Sequence, residues 1–219
     1  MKNRGFVLAI SVLACAGSQA LAVNLLNNSG FEDPLGFDFS NPSNWNGFFG
    51  GPAGTFLQAF NDTGATPRTG DRALVTTIRG VAGATEGRDA FTGHVQIVTG
   101  ITPGLPYELE VWARTNPSIN NGAEMRVEWL NAGGTEISRF NLPVEALLSS
   151  SYQRFAFTDV APAGAARAAI VFAVQSFTGA SPADTSVAWD DASFGVVPTP
   201  GTAVLLGFGA LVAGRRRRN

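Results

Sequence analysis

Strict two-residue alternation in three separate stretches limits this chain to sheets. In "YELEVWART", Tyr107, Leu109, Val111 and Ala113 fall on one side, and Glu108, Glu110, Trp112 and Arg114 on the other. In "AEMRVEWLN", Met125, Val127 and Trp129 oppose Arg126 and Glu128. A strand sends successive side chains to opposite faces, so each stretch reads as half-buried β-structure. "AAIVFAVQ" is apolar on both sides and predicts a strand covered on both faces. Similar short runs recur along the chain, punctuated by Gly, Pro, Asn and Asp, and no segment carries long helical periodicity. Strands are expected at 24–26, 55–60, 73–79, 94–98, 106–114, 124–130, 136–140, 153–158, 166–175 and 186–194. That spacing predicts an all-β sandwich. "NAGGTE" reads as a hairpin turn with Gly133 and Gly134 at positive φ, and "APAGAA" as a Pro-Gly turn.

The two ends read differently from this body. Residues 1–22, "MKNRGFVLAISVLACAGSQALA", place Lys2 and Arg4 before an apolar run and finish on a small-x-small site at Ala20-Leu21-Ala22. This is the pattern of a secretory signal peptide cut after Ala22. Cleavage there would remove the only cysteine, Cys15, and the only lysine, Lys2. The remaining chain would then have no disulfide and neither a thiol nor an amine nucleophile. The formal charge is −2. Without Lys2 and Arg4 it becomes −4, and without Arg215–Arg218 as well it becomes −8. Nine arginines lie scattered from Arg68 to Arg167 with no basic stripe, which argues against nucleic acid as a partner.

The body, 23–195, resembles the jelly-roll carbohydrate-binding modules of the galactose-binding-like superfamily, including those fused to bacterial xylanases and glucanases. The resemblance is carried by "NLLNNSGFED", "TGDRALVT", "VTGITPGLPYELEVWART", "MRVEWLNAGGTEI", "YQRFAFTDVAPAGAARAAIVF" and "VAWDDASF", in that order. It implies a jelly-roll β-sandwich and leaves the ligand open. It also implies a structural calcium between the first and last strands, on Glu32, Asp190 and Asp191. Calcium takes several hard oxygen ligands, which carboxylates and carbonyls supply.

Residues 196–219 contain Pro198-Thr199-Pro200, an apolar run from Gly201 to Gly214, and Arg215, Arg216, Arg217 and Arg218. This order resembles the PEP-CTERM sorting signal, with Thr199 in place of the usual central Glu. The resemblance implies recognition by a membrane exosortase and transient anchoring in the inner membrane. Fourteen helical residues would span about 21 Å, short of a ~30 Å hydrocarbon core. The arginines would stay on the cytoplasmic side and the body outside.

Catalytic patterns are sparse. His94 is the only histidine, so a Ser-His-Asp triad would have to use it, and at the start of a strand it reads as structural. Glu108 and Glu110 lie about 7 Å apart on one strand face, a spacing that arises by chance in many strands. A sugar presents apolar C–H faces to aromatic rings and hydroxyls to nearby polar groups. Trp112 with Glu108, Glu110 and Arg114 is therefore the expected carbohydrate-binding strip, unless Trp112 packs under a neighbouring loop. Trp45, Trp129 and Trp189 read as core or loop-packing residues. "GFDFSNPSNWNGFFGG" reads as a long aromatic loop, either a second contact region or a loop held down by its own rings. The expected protein is exported, non-catalytic and shown at the cell surface or in the extracellular matrix, binding a polysaccharide or glycan. The alternative is a structural or adhesive matrix protein without sugar specificity.

Overall fold

A computed structural model of the protein describes residues 23–36, 41–50, 56–62, 66–79, 90–115, 122–176 and 185–198. The expected signal peptide and the tail from Thr199 onward lie outside these residues, as do Phe37 and Phe39. The described residues up to Val197 form one compact unit.

Among the described residues, ten strands build two sheets, and every pairing is antiparallel. They are β1 (Asn46–Gly50), β2 (Phe56–Asp62), β3 (Ala73–Arg79), β4 (Ala90–Thr99), β5 (Pro106–Thr115), β6 (Gly122–Leu130), β7 (Glu136–Pro143), β8 (Gln153–Val160), β9 (Arg167–Ser176) and β10 (Thr185–Val196). One sheet has the order β1-β4-β9-β6-β7 and the other β2-β3-β10-β5-β8. The chain passes repeatedly from one sheet to the other, giving the jelly-roll sandwich expected from the sequence.

β5 alternates buried and half-buried residues along its whole length, as its sequence requires. β9 is buried on both faces from Ala168 to Val174. Between the sheets lie two aromatic clusters. Phe31, Trp45, Phe172 and Trp189 form a chain of ring contacts with centroid spacings of 5.2, 5.5 and 5.4 Å. Tyr107 stacks on Phe194 at 5.3 Å and meets Trp129 at 5.6 Å. A buried indole N–H needs an acceptor. Trp45 donates to the Asn28 carbonyl, Trp129 to Asp159 and Trp189 to Thr76.

Several sequence expectations need correction. The aromatic loop contains a strand, β1, which pairs with β4. β4 begins four residues earlier than expected, so His94 lies inside a strand that has neighbours on both sides. Residues 24–26 form no ladder strand. They are fastened to β10 instead, with Leu25 N–H donating to the Phe194 carbonyl (2.8 Å) and Phe194 N–H to Asn24 Oδ1 (3.1 Å). In the turn after β6 only Gly134, of the two glycines, takes positive φ (87°).

Candidate functional site

The closing "WDDASF" motif carries a β-bulge. Asp190 pairs with Trp112 and Ser193 with Glu110, so two β10 residues face one on β5. Asp191 takes φ +47° there. The bulge breaks the alternation that would otherwise separate neighbouring aspartates, and both reach the segment before β3. Asp190 Oδ2 accepts the N–H groups of Arg68 (2.7 Å) and Thr69 (3.2 Å). Asp191 accepts the Thr69 hydroxyl (2.7 Å) and pairs with the Arg68 guanidinium at 2.5 Å. Glu32 accepts the N–H groups of Asp71 (3.0 Å) and Arg72 (3.4 Å). Asp190 is fully buried, and burial pushes its carboxyl up to about 6 against the pull of its N–H donors.

The structure thus gathers Glu32, Asp190 and Asp191 on one short segment, 68–72. Their oxygens suit calcium chemically, but each carboxylate is already engaged by protein donors. Among the described residues, no three acidic, histidine or cysteine side chains are grouped to hold a metal ion.

The β5 strip faces outward as expected, on the sheet face away from the core. Trp112 is half-buried, and the Arg68 guanidinium lies over its ring at 3.8 Å from the centroid. Arg68 therefore joins Trp112 to Asp191. Glu110 and Glu108 both face Arg154 of β8, at 2.8 and 3.7 Å. Arg114 lies 5.2 Å from the centre of the Tyr152 ring, whose hydroxyl burial pushes up to about 12. The four residues share one surface, and a neighbouring segment covers one face of the Trp112 ring.

The outward face of the other sheet holds a pair of rings that sequence reasoning left in a loop. In the β1–β4 register, Phe48 lies opposite Gly93 and Gly50 opposite Phe91. The rings are tilted at 42° with centroids 6.2 Å apart. A Cβ on Gly93 would come within 2.8 Å of the Phe48 ring, and one on Gly50 within 2.4 Å of the Phe91 ring. Each ring therefore lies across the glycine of the opposite strand, as aromatic residues do when they shield a bare strand position. Phe91 is 38% exposed. The signal was in the spacing: Phe48 and Gly50 are two apart, as are Phe91 and Gly93, and an antiparallel pairing brings each Phe onto a Gly.

Gln175 of β9 is directly across from Phe91 and donates to Glu124 of β6 (3.1 Å). Beyond it runs a ladder of charges on the same face. Arg126 donates to Glu124 at 2.7 Å and forms an ion pair with Glu128 at 2.9 Å. Arg139 of β7 bonds Glu136 and lies 3.6 Å from Glu128. Two strand steps separate β4, which carries Phe91, from β6, about 10 Å.

His94 points inward and is fully buried, with Nε2 2.9 Å from Asn41 Oδ1. Burial lowers its pKa to about 4, so at neutral pH it is an uncharged core residue. Of the sorting motif only Pro198 is described, and it is exposed. Thr199, Pro200 and Arg215–Arg218 lie outside the described residues. Among those that are described, no helix is long and apolar enough to cross a membrane.

No protein-family model and no curated protein matches the chain. Among solved structures, the chain resembles the enzymatically active domain of bacteriophage CBA120 tailspike protein 4, with 21% identity and a TM-score of 0.55. That match covers 80% of this chain and 22% of the tailspike chain. An arabinose-bound α-L-arabinofuranosidase matches with 13% identity and a TM-score of 0.51, over 83% of this chain and 27% of the enzyme. The chain thus spans about a quarter or less of these two proteins. A xylan-binding domain from Paenibacillus barcinonensis matches at 11% identity and TM-score 0.47, over 81% of this chain and 97% of that one. At these identities the likeness is one of fold.

Proposed function

We propose that this chain is an exported, non-catalytic β-sandwich that binds polysaccharide at the cell surface or in the extracellular matrix. The observation that carries the reading is the pair Phe48 and Phe91, held against cross-strand glycines on an outward face beside Gln175 and Glu124. Rings held in this way offer apolar surface to a sugar, and the half-buried Gln175 amide next to them suits its hydroxyls. The Trp112 strip is the second surface to test, since Arg68 already occupies one face of its ring. Affinity electrophoresis in gels containing soluble polysaccharides separates the two. Phe91→Ala is expected to lose retention at least tenfold, equivalent to about 1.4 kcal/mol, and Trp112→Ala to keep it. The reverse result would move the site to the β5 strip. Retention unaffected by both would remove both surfaces.

The export part of the proposal rests on the signal-peptide pattern of residues 1–22 and the sorting-signal resemblance of the tail, with an exosortase as the processing partner. Mass spectrometry of the protein from its producing cell tests both ends at once. A structural calcium held by Glu32, Asp190 and Asp191 belongs to the same reading, where it would fasten the first segment to the last strand. To take the ion, Asp191 must leave Arg68. A melting temperature several degrees higher in calcium than in EGTA, with the difference abolished by Glu32→Gln, would support the site. Equal melting temperatures would remove it. The structural or adhesive alternative is favoured by the exposed Ile137, Phe140 and Val160 on edge strands β7 and β8.

A further inference from the structure

We infer that the Phe48–Phe91 face is built for an uncharged polysaccharide and rejects acidic ones. The inference rests on the polysaccharide reading above and adds the class of sugar. An acidic sugar chain, carrying carboxylate or sulfate groups, is held by free cations that form charge-assisted hydrogen bonds. Among the described residues, the cations nearest the rings on this face are already taken. Arg126 lies between Glu124 and Glu128, and Arg139 between Glu128 and Glu136. Three carboxylates thus neutralise two guanidinium groups and leave one negative charge over. The remaining described arginine on the face, Arg167, lies eight residues along β9 from Gln175, about 26 Å away.

An anion placed beside Phe91 would face, two strand spacings or about 10 Å away, the net negative ladder of Glu124, Arg126, Glu128, Arg139 and Glu136. The formal charge of −8 between the expected processing points adds a long-range field of the same sign. A neutral sugar meets none of these costs. Its C–H faces cover the phenyl rings, and its hydroxyls need no cation to hold them. Gln175 supplies a neutral amide at the join between the two halves of the face.

The test uses the full chain in affinity electrophoresis against two panels. The neutral panel is β-1,4-galactan, β-1,4-mannan, hydroxyethylcellulose and mixed-linkage β-glucan. The acidic panel is alginate, polygalacturonate and dextran sulfate. Retention is expected on at least one neutral polymer, unchanged between low salt and 0.5 M NaCl and weakened at least tenfold by Phe91→Ala. No acidic polymer is expected to retain the chain. Retention on an acidic polymer that Phe91→Ala abolishes and salt weakens would overturn the inference while leaving polysaccharide binding in place. Retention by neither panel would overturn polysaccharide binding itself, and the inference with it.

Discussion

Acid should destabilise this protein through His94, by an amount that can be isolated. The imidazole is fully buried on β4, between Gly47 of β1 and Phe172 of β9. With Nε2 donating to Asn41 Oδ1, Nδ1 is the unprotonated nitrogen, and it is buried with no partner among the described residues. A second proton would have to go there, without an acceptor and away from water, which is why the pKa falls from 6.5 to about 4. The unfolded chain takes up that proton below about 6.5 and the folded chain does not. The stability associated with the neutral ring is therefore complete above 6.5 and is lost as pH falls towards 4. That lowering corresponds to about 3 kcal/mol. That is a large share of a typical stability of 5–15 kcal/mol.

Other groups titrate in the same range, so the useful quantity is the difference between wild type and His94→Gln. Glutamine can place its amide nitrogen near the position of Nε2 and cannot be protonated. Urea unfolding followed by tryptophan fluorescence, at steps from pH 7.5 to 4.5, measures both proteins. The variant is expected to be about 1–2 kcal/mol less stable at pH 7.5, because the ring it replaces fills its site. By pH 4.5 the gap should close or invert. Stability curves that stay parallel across the range would show that His94 does not carry this penalty.

Gly93→Ala should cost about 1–3 kcal/mol and disturb Phe48, because its Cβ would come within 2.4 Å of the Phe172 carbonyl oxygen and 2.8 Å of the Phe48 ring. Gly36→Ala, with nothing within 4 Å of its Cβ, is the control, and equal melting temperatures for the two would refute the packing argument. Arg68→Ala should cost only about 1 kcal/mol, since its ion pair with Asp191 and its contact with Trp112 are partly exposed. It should also open Trp112 to iodide quenching, while Trp45, Trp129 and Trp189 stay buried. Unchanged quenching would mean that Arg68 does not shield the ring.

The core was the legible part of this fold. Two-residue alternation in β5 and β6 sorted inward from outward side chains, and the doubly apolar β9 announced a strand covered on both sides. β1 was missed because its glycines read as loop signals. In the sheet one of them, Gly50, is the position that accepts the Phe91 ring from the opposite strand, which is a property of the pair and invisible in either strand alone. The cover over Trp112 was illegible for a related reason. Arg68 lies 44 residues earlier, and no local pattern links the two. The gathering of Asp190 and Asp191 depended on a bulge. Simple alternation would have put them on opposite faces, and only the resemblance marked them as a pair.

The way the chain leaves the sandwich has a mechanical side. Its last strand, β10, is the middle strand of its sheet, bonded to β3 on one side and β5 on the other. A load applied to the C-terminal end therefore enters at the centre of the sheet, where extraction must break two rows of hydrogen bonds together. The first segment, bonded to β10 through Asn24 and Leu25, adds a third attachment. A body loaded from that end should resist pulling far better than one that ends on an edge strand, which can be peeled away one bond at a time.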